Sequence, residues 1–421
     1  MISIFSKHKN DRLCYVLEFC FDTKYEEWRL ITDPDEWEKS EDDSKINYSD
    51  LPLESDLQII PHSILFEKKI PNNLKLSVNP NEKEIRSLEL DQIADPFAII
   101  FFLLSRAEEY GAQDRDAHDR FKASNHSLVK LGLHKRPIAD ELVKDLWLRL
   151  KLDYSLIQKQ FQAVPSFDID VAWAYKNRKF GRAIGSFIKS KNKKERIGVL
   201  LGRKKDPYDT YSVIHSIASR VDRIICFALL GDWSKYDKNI HWKNPHLGSL
   251  IRGLNAAGGM GIHPSYYAHL DSAQTGKEKE RLEEIVGHEI RKSRQHFLRL
   301  KLPESYRLLL DNGLVRDYSM GFADNIGFRA GTSFPYHWFD LKANKKTDLL
   351  VFPFAYMDSA LKDYLKLSPT EARLEVEELV ENVQDVGGVF MFIWHNSSIT
   401  DRDEWEGWKS LLDFTMSKIE E

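Results

Sequence analysis

The chain has 421 residues, of which 42% are hydrophobic and 30% are charged, which is enough apolar material for two or three packed domains. Lysine and arginine number 61 against 65 acidic residues, which gives a net charge of −4. Proteins that bind nucleic acid usually carry a positive electrostatic potential, so this charge argues against a nucleic-acid partner. The three cysteines show no CxxC spacing, which argues against a disulfide framework and against a thiolate zinc site.

The N-terminus and the length of the apolar runs indicate in which cellular compartment the protein resides. The N-terminus has no uninterrupted apolar stretch before its charges begin, and no apolar run is long enough to span a bilayer. Together with the sparse cysteines, this predicts a cytoplasmic protein without a transmembrane segment.

The first part of the chain, residues 1–162, predicts a smaller mixed α/β domain. Residues 14–21 and 57–66 are rich in apolar and β-branched residues and predict strands. Residues 96–111 begin at a proline and end at a glycine, which is typical of a helix, and residues 139–161 predict a second helical stretch.

The second part, residues 163–421, alternates short apolar strands with longer helical stretches, a pattern that predicts a parallel βα arrangement. Nearly every strand runs into polar or charged side chains, and the carboxyl ends of parallel strands are where active sites form. The predicted strands are 163–173, 223–231, 259–265, 315–321, 326–332, 349–357 and 388–395.

A basic stretch at residues 176–205 carries many lysines and arginines and a single glutamate. We interpret it first as a solvated helical face or loop. The alternative is a peripheral contact with an anionic membrane or with glycan phosphate.

The segment SFDID places Asp168 and Asp170 two positions apart at the end of a predicted strand. Side chains at i and i+2 of a strand point to the same face, so both carboxylates could reach one ion. A buried carboxylate needs a partner or a metal, although helix capping or loop anchoring explains such residues equally well.

Other strand ends carry further candidates. His263 follows glycines in GIHPS, His395 ends the apolar strand VFMFIWH, and Arg329 lies between glycines in GFRAGT. His296, in RQHFLR, is a second candidate ligand. Each has an ordinary interpretation as a core, helix-face or salt-bridged residue, but together they fit metal-assisted hydrolysis by Asp and His ligands.

The order of these motifs resembles that of the polysaccharide deacetylases, the NodB-homology or carbohydrate esterase family 4 enzymes. FDID resembles the family's first motif, IICFALLGDW the strand that follows it, GIHPSY its histidine motif, GFRAGT its arginine motif and FIWHN its last motif. The resemblance spans about residues 164–400. LLSRAEEY and DAHDRF also resemble a bacterial subfamily that has an extra N-terminal α/β domain of no assigned catalytic role.

The resemblance implies a fold and a set of roles. The fold is a distorted (β/α) barrel of about seven strands, complete or incomplete, preceded by the smaller α/β domain. The implied roles are general base for Asp168, metal ligands for Asp170 and His263, orientation of the base for Arg329, and general acid for His395.

One position departs from the family pattern. A second histidine ligand normally follows the first by four residues, where this chain has Tyr267, and we assign His296 as its substitute. Asp and His ligands predict a divalent ion, with Zn²⁺ first and Co²⁺, Ni²⁺ or Fe²⁺ also compatible.

The function implied is removal of N-acetyl groups from an amino sugar in a poly- or oligosaccharide, or in its precursor, during glycan biosynthesis. We predict that Tyr266, Trp338 and Trp394 bind this carbohydrate, and that Asp358 lines the site, bonds His395 or caps the helix after it. Two alternatives stay open: a catalytically silent carbohydrate-binding or scaffold protein on the same fold, and an amidase that cleaves a non-sugar C–N bond.

Overall fold

A computed structural model describes residues 1–21, 24–70, 73–82, 84–177 and 193–420. It is a mixed α/β structure with largely parallel sheets. The strands are β1 Ile2–Ser6, β2 Trp28–Ile31, β3 Ser44–Tyr48, β4 Leu57–Gln58, β5 Leu76–Val78, β6 Leu88–Leu90, β7 Gln162–Ile169, β8 Ile225–Ala228, β9 Met260–Ile262, β10 Lys292–Ser293, β11 Arg316–Asp317, β12 Tyr336–Asp340, β13 Lys345–Val351, β14 Tyr356–Met357 and β15 Val389–His395. The α-helices are α1 Asp11–Cys20, α2 Pro34–Glu38, α3 Pro96–Leu104, α4 Ser127–Lys130, α5 Ile138–Arg149, α6 Ser155–Gln158, α7 Lys193–Leu200, α8 Tyr211–Ala218, α9 Pro245–Ala257, α10 Ser272–Val286, α11 Glu304–Asp311, α12 Pro369–Val386 and α13 Lys409–Glu420.

The first part of the chain builds a four-stranded parallel sheet in the order β2-β1-β3-β4 and an antiparallel pair, β5-β6. The strand predicted at 14–21 is wrong, because these residues belong to α1. Asn10 caps that helix by accepting hydrogen bonds from two backbone N–H groups. The buried residues Leu13, Val16, Leu17 and Cys20 follow the helical spacing of three and four, not the alternation of a strand.

The second part builds a nine-stranded sheet in the order β12-β13-β11-β10-β9-β8-β7-β15-β14. Every neighbouring pair is parallel except β12 with β13. The sheet thus has more strands than the seven or so expected. Its two end strands, β12 and β14, do not pair with each other within the described ranges, so the sheet is open there. β7 lies inside the sheet, between β8 and β15.

The stretch 326–332 was predicted as a strand and is instead a loop. A Cβ atom on Gly327 would lie 2.1 Å from the backbone oxygen of His134, and Gly327 has a φ of 97°. The glycine is therefore required because the backbone of the first part packs directly on this loop. β10 and β12, by contrast, are strands that the sequence pattern did not predict.

Both parts of the chain contribute to one continuous hydrophobic core, which includes α3, the interior of the large sheet and α12. α12 begins with a capping box between Ser368 and Glu371, has a proline in its first turn and ends at Gly387 with a φ of 72°. These signals determine where α12 begins and ends, and the helix packs on β15, the strand that carries His395.

Of the basic stretch 176–205, residues 178–192 lie outside the described residues, so neither interpretation of that stretch is tested. Among the residues that are described, no helix combines the length and the apolar character needed to cross a membrane.

Candidate active site

Four strands from one region of the large sheet, β10, β9, β7 and β15, bring their carboxyl ends to one place, with β8 between β9 and β7. β7 carries Asp168 near its end and Asp170 just beyond it, and His395 pairs with Asp168 in the parallel register of β15 and β7. His263 follows β9 directly, and His296 follows β10 by three residues. The structure thus brings together five side chains from four separate segments of the chain.

Asp170 lies at the centre of three imidazoles. The Nε2 atoms of His263, His296 and His395 lie 3.3, 3.5 and 3.6 Å from its carboxylate oxygens. His263 and His296 are buried, whereas Asp170 and His395 are partly exposed. Solvent therefore reaches the cluster on the side of Asp170 and His395.

Each imidazole is held through its other ring nitrogen. The Nδ1 atom of His263 lies 2.6 Å from the backbone oxygen of Arg294, that of His296 lies 2.9 Å from Asp237, and that of His395 lies 2.8 Å from Asp358. Carbonyl and carboxylate oxygens only accept, so Nδ1 carries the proton in each ring. This leaves Nε2 directed at Asp170, the arrangement that metal-binding histidines show.

In this cluster the negative carboxylates and the positively charged imidazoles stabilise one another, which shifts their pKa values in opposite directions. Burial opposes ionisation of Asp170, but the neighbouring imidazoles outweigh it and hold the pKa of Asp170 well below its usual range. Burial likewise opposes a charged imidazole, but Asp170 and Asp237 raise the pKa of His296 to about 9, and Asp358 with Asp170 raises the pKa of His395 to about 10. The site therefore stabilises positive charge.

Three of these residues fit a divalent metal ion. Asp170, His263 and His296 each present one ligand atom, and these atoms lie within 4.8 Å of one another. The Oδ1 atom of Asp170 is buried and faces Nε2 of His263 at 3.3 Å, but it accepts no hydrogen bond among the described residues, which is costly unless an ion completes its coordination. One carboxylate and two imidazoles leave open coordination positions, as in catalytic sites.

Asp168 is fixed by an arginine that the sequence analysis did not identify. Arg294 is fully buried, and its Nη1 donates to Oδ1 of Asp168 at 2.9 Å. Its other donors reach the hydroxyl of Ser166 and the backbone oxygen of Tyr318, each at 2.9 Å. The guanidinium also lies 4.3 Å above the ring of Phe227.

The prediction that Arg329 orients Asp168 is wrong. Arg329 is buried and makes a bidentate pair with Glu109, at 2.8 and 2.6 Å, and its backbone oxygen lies 2.7 Å from Nε2 of His126. Burial opposes ionisation of Glu109, but Arg329 and Arg106 outweigh it and lower the pKa of Glu109 to about 2. Arg329 therefore joins the two parts of the chain, because its loop packs on the first part.

The predicted substrate-binding residues also need correction. Trp338 is fully buried and packs on Tyr306, and Trp394 is fully buried with its indole N–H directed at Tyr356. Trp394 neighbours His395 on β15, so the pleat turns its side chain to the opposite face of the sheet. Both tryptophans are core residues and cannot contact a substrate.

Asp358 and Tyr266 lie beside the cluster in different ways. Asp358 is fully buried and bonds both the ring and the backbone N–H of His395, at 2.8 Å each, so it supports His395 and does not contact a ligand. Its Oδ1 also accepts from the N–H of Ser359. Tyr266 is mostly buried, and its backbone N–H donates to Asp237, the partner of His296.

Sequence reasoning missed Arg294 and Asp237. Arg294 precedes His296 by two positions. In an extended chain, side chains two positions apart point to the same side, and this spacing was the signal that could have placed Arg294 beside the proposed metal ligand His296. Asp237 lies in the loop after β8, among other acidic and basic residues, and nothing local distinguishes it.

A separate cavity of about 350 Å³ lies between α1, α5 and β12. Tyr15, Asp140 and Tyr336 contribute to its lining, and none of the lining residues belongs to the histidine cluster.

Comparisons with known proteins give one family match and several loose structural likenesses. Residues 2–155 match the model of a family described as "Family of unknown function (DUF7033)". No curated protein matches the chain. Similar solved structures include a protein assigned to the polysaccharide deacetylases from Mycobacterium smegmatis, which is 15% identical over 62% of this chain and 85% of that one, with a TM-score of 0.41.

Two further structures are similar at the same level. A probable polysaccharide deacetylase from Pseudomonas aeruginosa is 13% identical over 62% of this chain and 85% of that one, with a TM-score of 0.39. The polysaccharide deacetylase of Bacillus cereus is 10% identical over 61% and 86%, with a TM-score of 0.30. Each of these TM-scores is too low to establish a shared fold or activity.

Proposed function

We propose that the protein is a divalent-metal-dependent hydrolase that removes the N-acetyl group from an amino sugar within a glycan or glycan precursor. The observation that carries the proposal is the arrangement around Asp170. Three imidazoles direct Nε2 at this carboxylate, each is locked through Nδ1, and Asp168 lies beside them on a buried arginine. Motif order along the chain supports the choice of an acetylated sugar as substrate.

Asp170, His263 and His296 would hold the ion, with Zn²⁺ as our first choice. When bound, the ion supplies a Lewis acid that polarises the acetamido carbonyl and makes water more acidic. Asp168 would accept the proton of the attacking water through Oδ2, because its Oδ1 is engaged by Arg294.

His395 would donate a proton from Nε2 to the departing amine. Its pKa of about 10 keeps it protonated near neutral pH, and Asp358 fixes the direction of the ring. Its partial exposure suits a group that must contact substrate. Base and acid therefore lie side by side at the ends of β7 and β15.

Elemental analysis of the purified protein tests the metal assignment. We expect about one equivalent of Zn²⁺ after reconstitution of the wild type, and its loss in Asp170→Ala, His263→Ala and His296→Ala. His246→Ala, which changes an exposed histidine, should retain the metal. A wild type that binds no divalent ion would refute the metal centre.

Acetate release from N-acetylated sugars tests the reaction. Asp168→Asn and His395→Ala should each keep the metal and lower kcat by about 10²- to 10⁴-fold. A zinc-loaded wild type that releases no acetate from mono- or oligosaccharides would refute the deacetylase proposal and leave the metal centre standing.

A further inference from the structure

A segment from the first part of the chain borders the candidate active site. This segment, Asp114–Phe121, contains the DAHDRF motif. Arg299 donates from Nε to the backbone oxygen of His118 at 2.8 Å, and Arg115 donates to the backbone oxygen of Leu300. The segment is therefore anchored on residues that follow His296 by three and four positions.

Arg120 connects the two flanks of the site. Its guanidinium is buried and held by Asp116 at 2.7 Å. From there Nη1 donates to the backbone oxygen of Phe297, next to His296, at 3.3 Å, and Nη2 donates to the hydroxyl of Tyr364 at 2.9 Å. Tyr364 ends the π-helical turn Ala360–Tyr364, which begins two residues after Asp358. One side chain of the first part thus links the surroundings of a proposed metal ligand to those of His395.

His118 extends a row of aromatic rings that leads to the metal ligands. We call this row the aromatic rim, and its members are His118, Tyr236, Tyr266, Tyr267 and Phe297. The ring of Phe297 lies 4.7 Å from that of His296 and 5.0 Å from that of His118. Nδ1 of His118 lies 3.1 Å from the hydroxyl of Tyr266.

The outer part of the aromatic rim is open to solvent. Tyr267 is 58% exposed and lies 5.1 Å from Tyr266, which stacks on Tyr236 at 3.9 Å. Tyr267 is the exposed member of the rim, and the half-buried rings of His118, Tyr236 and Phe297 connect it to His296, so the rim offers a continuous aromatic surface for ligand contact.

The backbone of the rim carries strain. Phe297 has a φ of 60°, in the left-handed region that a bulky residue rarely adopts. Such strain persists where the surrounding structure enforces it, and it gathers at functional sites. Here the contacts of Arg120 and of His118 with Phe297 hold this conformation.

We propose that Asp114–Phe121 forms one wall of the substrate site, and that His118 and Tyr267 contact the sugar unit next to the one whose acetamido group reaches Asp168 and His395. The proposal rests on the proposed function and deepens it, because it gives the first part of the chain a role in selecting oligosaccharides over single sugars. Aromatic faces suit this role, since they pack on the apolar faces of pyranose rings. Burial lowers the pKa of His118, with help from Arg120, so its ring is neutral near pH 7 and can exchange a hydrogen bond with a sugar hydroxyl.

Steady-state kinetics on N-acetylglucosamine and its tetrasaccharide test the wall. His118→Ala and Tyr267→Ala should each lower the ratio of kcat/KM for the tetrasaccharide to kcat/KM for the monosaccharide by about tenfold, the loss of one stacking contact. His8→Ala, an exposed histidine of the same part of the chain, should leave the ratio unchanged. An unchanged ratio in both rim variants would overturn the proposal.

A direct binding measurement tests the substrate-site wall independently of the proposed deacetylase activity. The tetrasaccharide is titrated into the zinc-loaded wild type and into His118→Ala and Tyr267→Ala, and intrinsic fluorescence reports the Kd. We expect the Kd to rise about tenfold in both variants, with or without any acetate release by the wild type. If the wild type binds the tetrasaccharide no better than the monosaccharide, or the variants bind it equally well, the wall is refuted even when deacetylation is observed.

Discussion

Arg294 holds Asp168 through a contact of 2.9 Å between Nη1 and Oδ1, and the same guanidinium reaches Ser166 and Tyr318. Arg294→Lys should lower kcat by about ten- to a hundredfold, because one ammonium cannot reproduce three directed contacts. Metal content should not change. The exposed Arg291→Lys is the matched control, and a wild-type kcat in Arg294→Lys would show that Asp168 does not need this support.

Arg329 is expected to matter for stability and not for turnover. Arg329→Met leaves Glu109 buried near Arg106 alone, and we expect the free energy of unfolding to fall by about 3–5 kcal/mol. Adding Glu109→Gln to Arg329→Met should recover part of this loss, because it removes a buried charge that has lost its bidentate partner. Urea unfolding gives the measurement. A folded Arg329→Met variant with normal stability and a severely reduced kcat would restore the role first predicted for this residue.

Asp237 should tune the metal through His296. Asp237→Asn removes the charge at Nδ1 of that ring, and we expect the affinity for Zn²⁺ to fall by about ten- to a hundredfold. Competition titration with a chelator measures the Kd. Asp232→Asn, in the same loop but largely exposed, should keep the wild-type value. Equal affinities in the two variants would mean that His296 is not a ligand.

Asp358 should set the alkaline limit of activity. His395 acts as an acid only while protonated, and the charge of Asp358 favours that form and raises its pKa. Asp358→Asn therefore lowers the pKa of His395, so the alkaline fall in kcat should move to lower pH. The pH dependence of kcat measures this, with the exposed Asp363→Asn as control. An unmoved alkaline limb in Asp358→Asn contradicts the role of His395 as the acid.

Asp140 makes stability depend on pH. Burial raises its pKa to about 7, although Thr332 and Ser333 donate to it. An unfolded aspartate has a pKa of about 3.9, so between these values only the folded chain keeps the proton. This contribution is complete below about pH 4 and is lost as the pH rises to 7, by up to about 1.4 kcal/mol per pH unit.

Asp140→Asn should therefore flatten the decline of stability between pH 4 and 7. Thermal unfolding at several pH values measures the difference from wild type, and Asp145→Asn on the same helix, α5, serves as control. A decline of equal slope in Asp140→Asn and wild type would assign the pH dependence to other groups.

The grouping of residues at strand ends could be predicted from the sequence, because a polar residue that directly follows a short apolar run is a local pattern. Asp168, His263 and His395 each follow a short apolar run, and the parallel arrangement places such ends along one edge. His296 was assigned only as a replacement for a missing ligand, and the structure places it beside Asp170. Its role, like those of the other cluster residues, stays a prediction.

The remaining errors have physical causes that a local pattern does not contain. The partner of Asp168 depends on which strands become neighbours, so Arg329 was chosen where Arg294 makes the contact. Trp394 was placed in the site beside His395, although adjacent strand residues face opposite sides. The glycines around Arg329 were assigned to the end of a strand, whereas Gly327 lies in a loop and makes space for the backbone near His134.

The position of β15 has a consequence for how the protein is made. β15 follows β7 by more than 200 residues, yet the two strands pair over seven residues in the interior of the sheet. During synthesis, the edge of β7 that later pairs with β15 therefore stays unpaired until β15 has been made. Until then, Asp168 also lacks His395 beside it. Long-range parallel pairing of this kind is slow and leaves apolar surface exposed. A nascent chain stalled before β15 should thus be a client of chaperones and unable to form the catalytic pair.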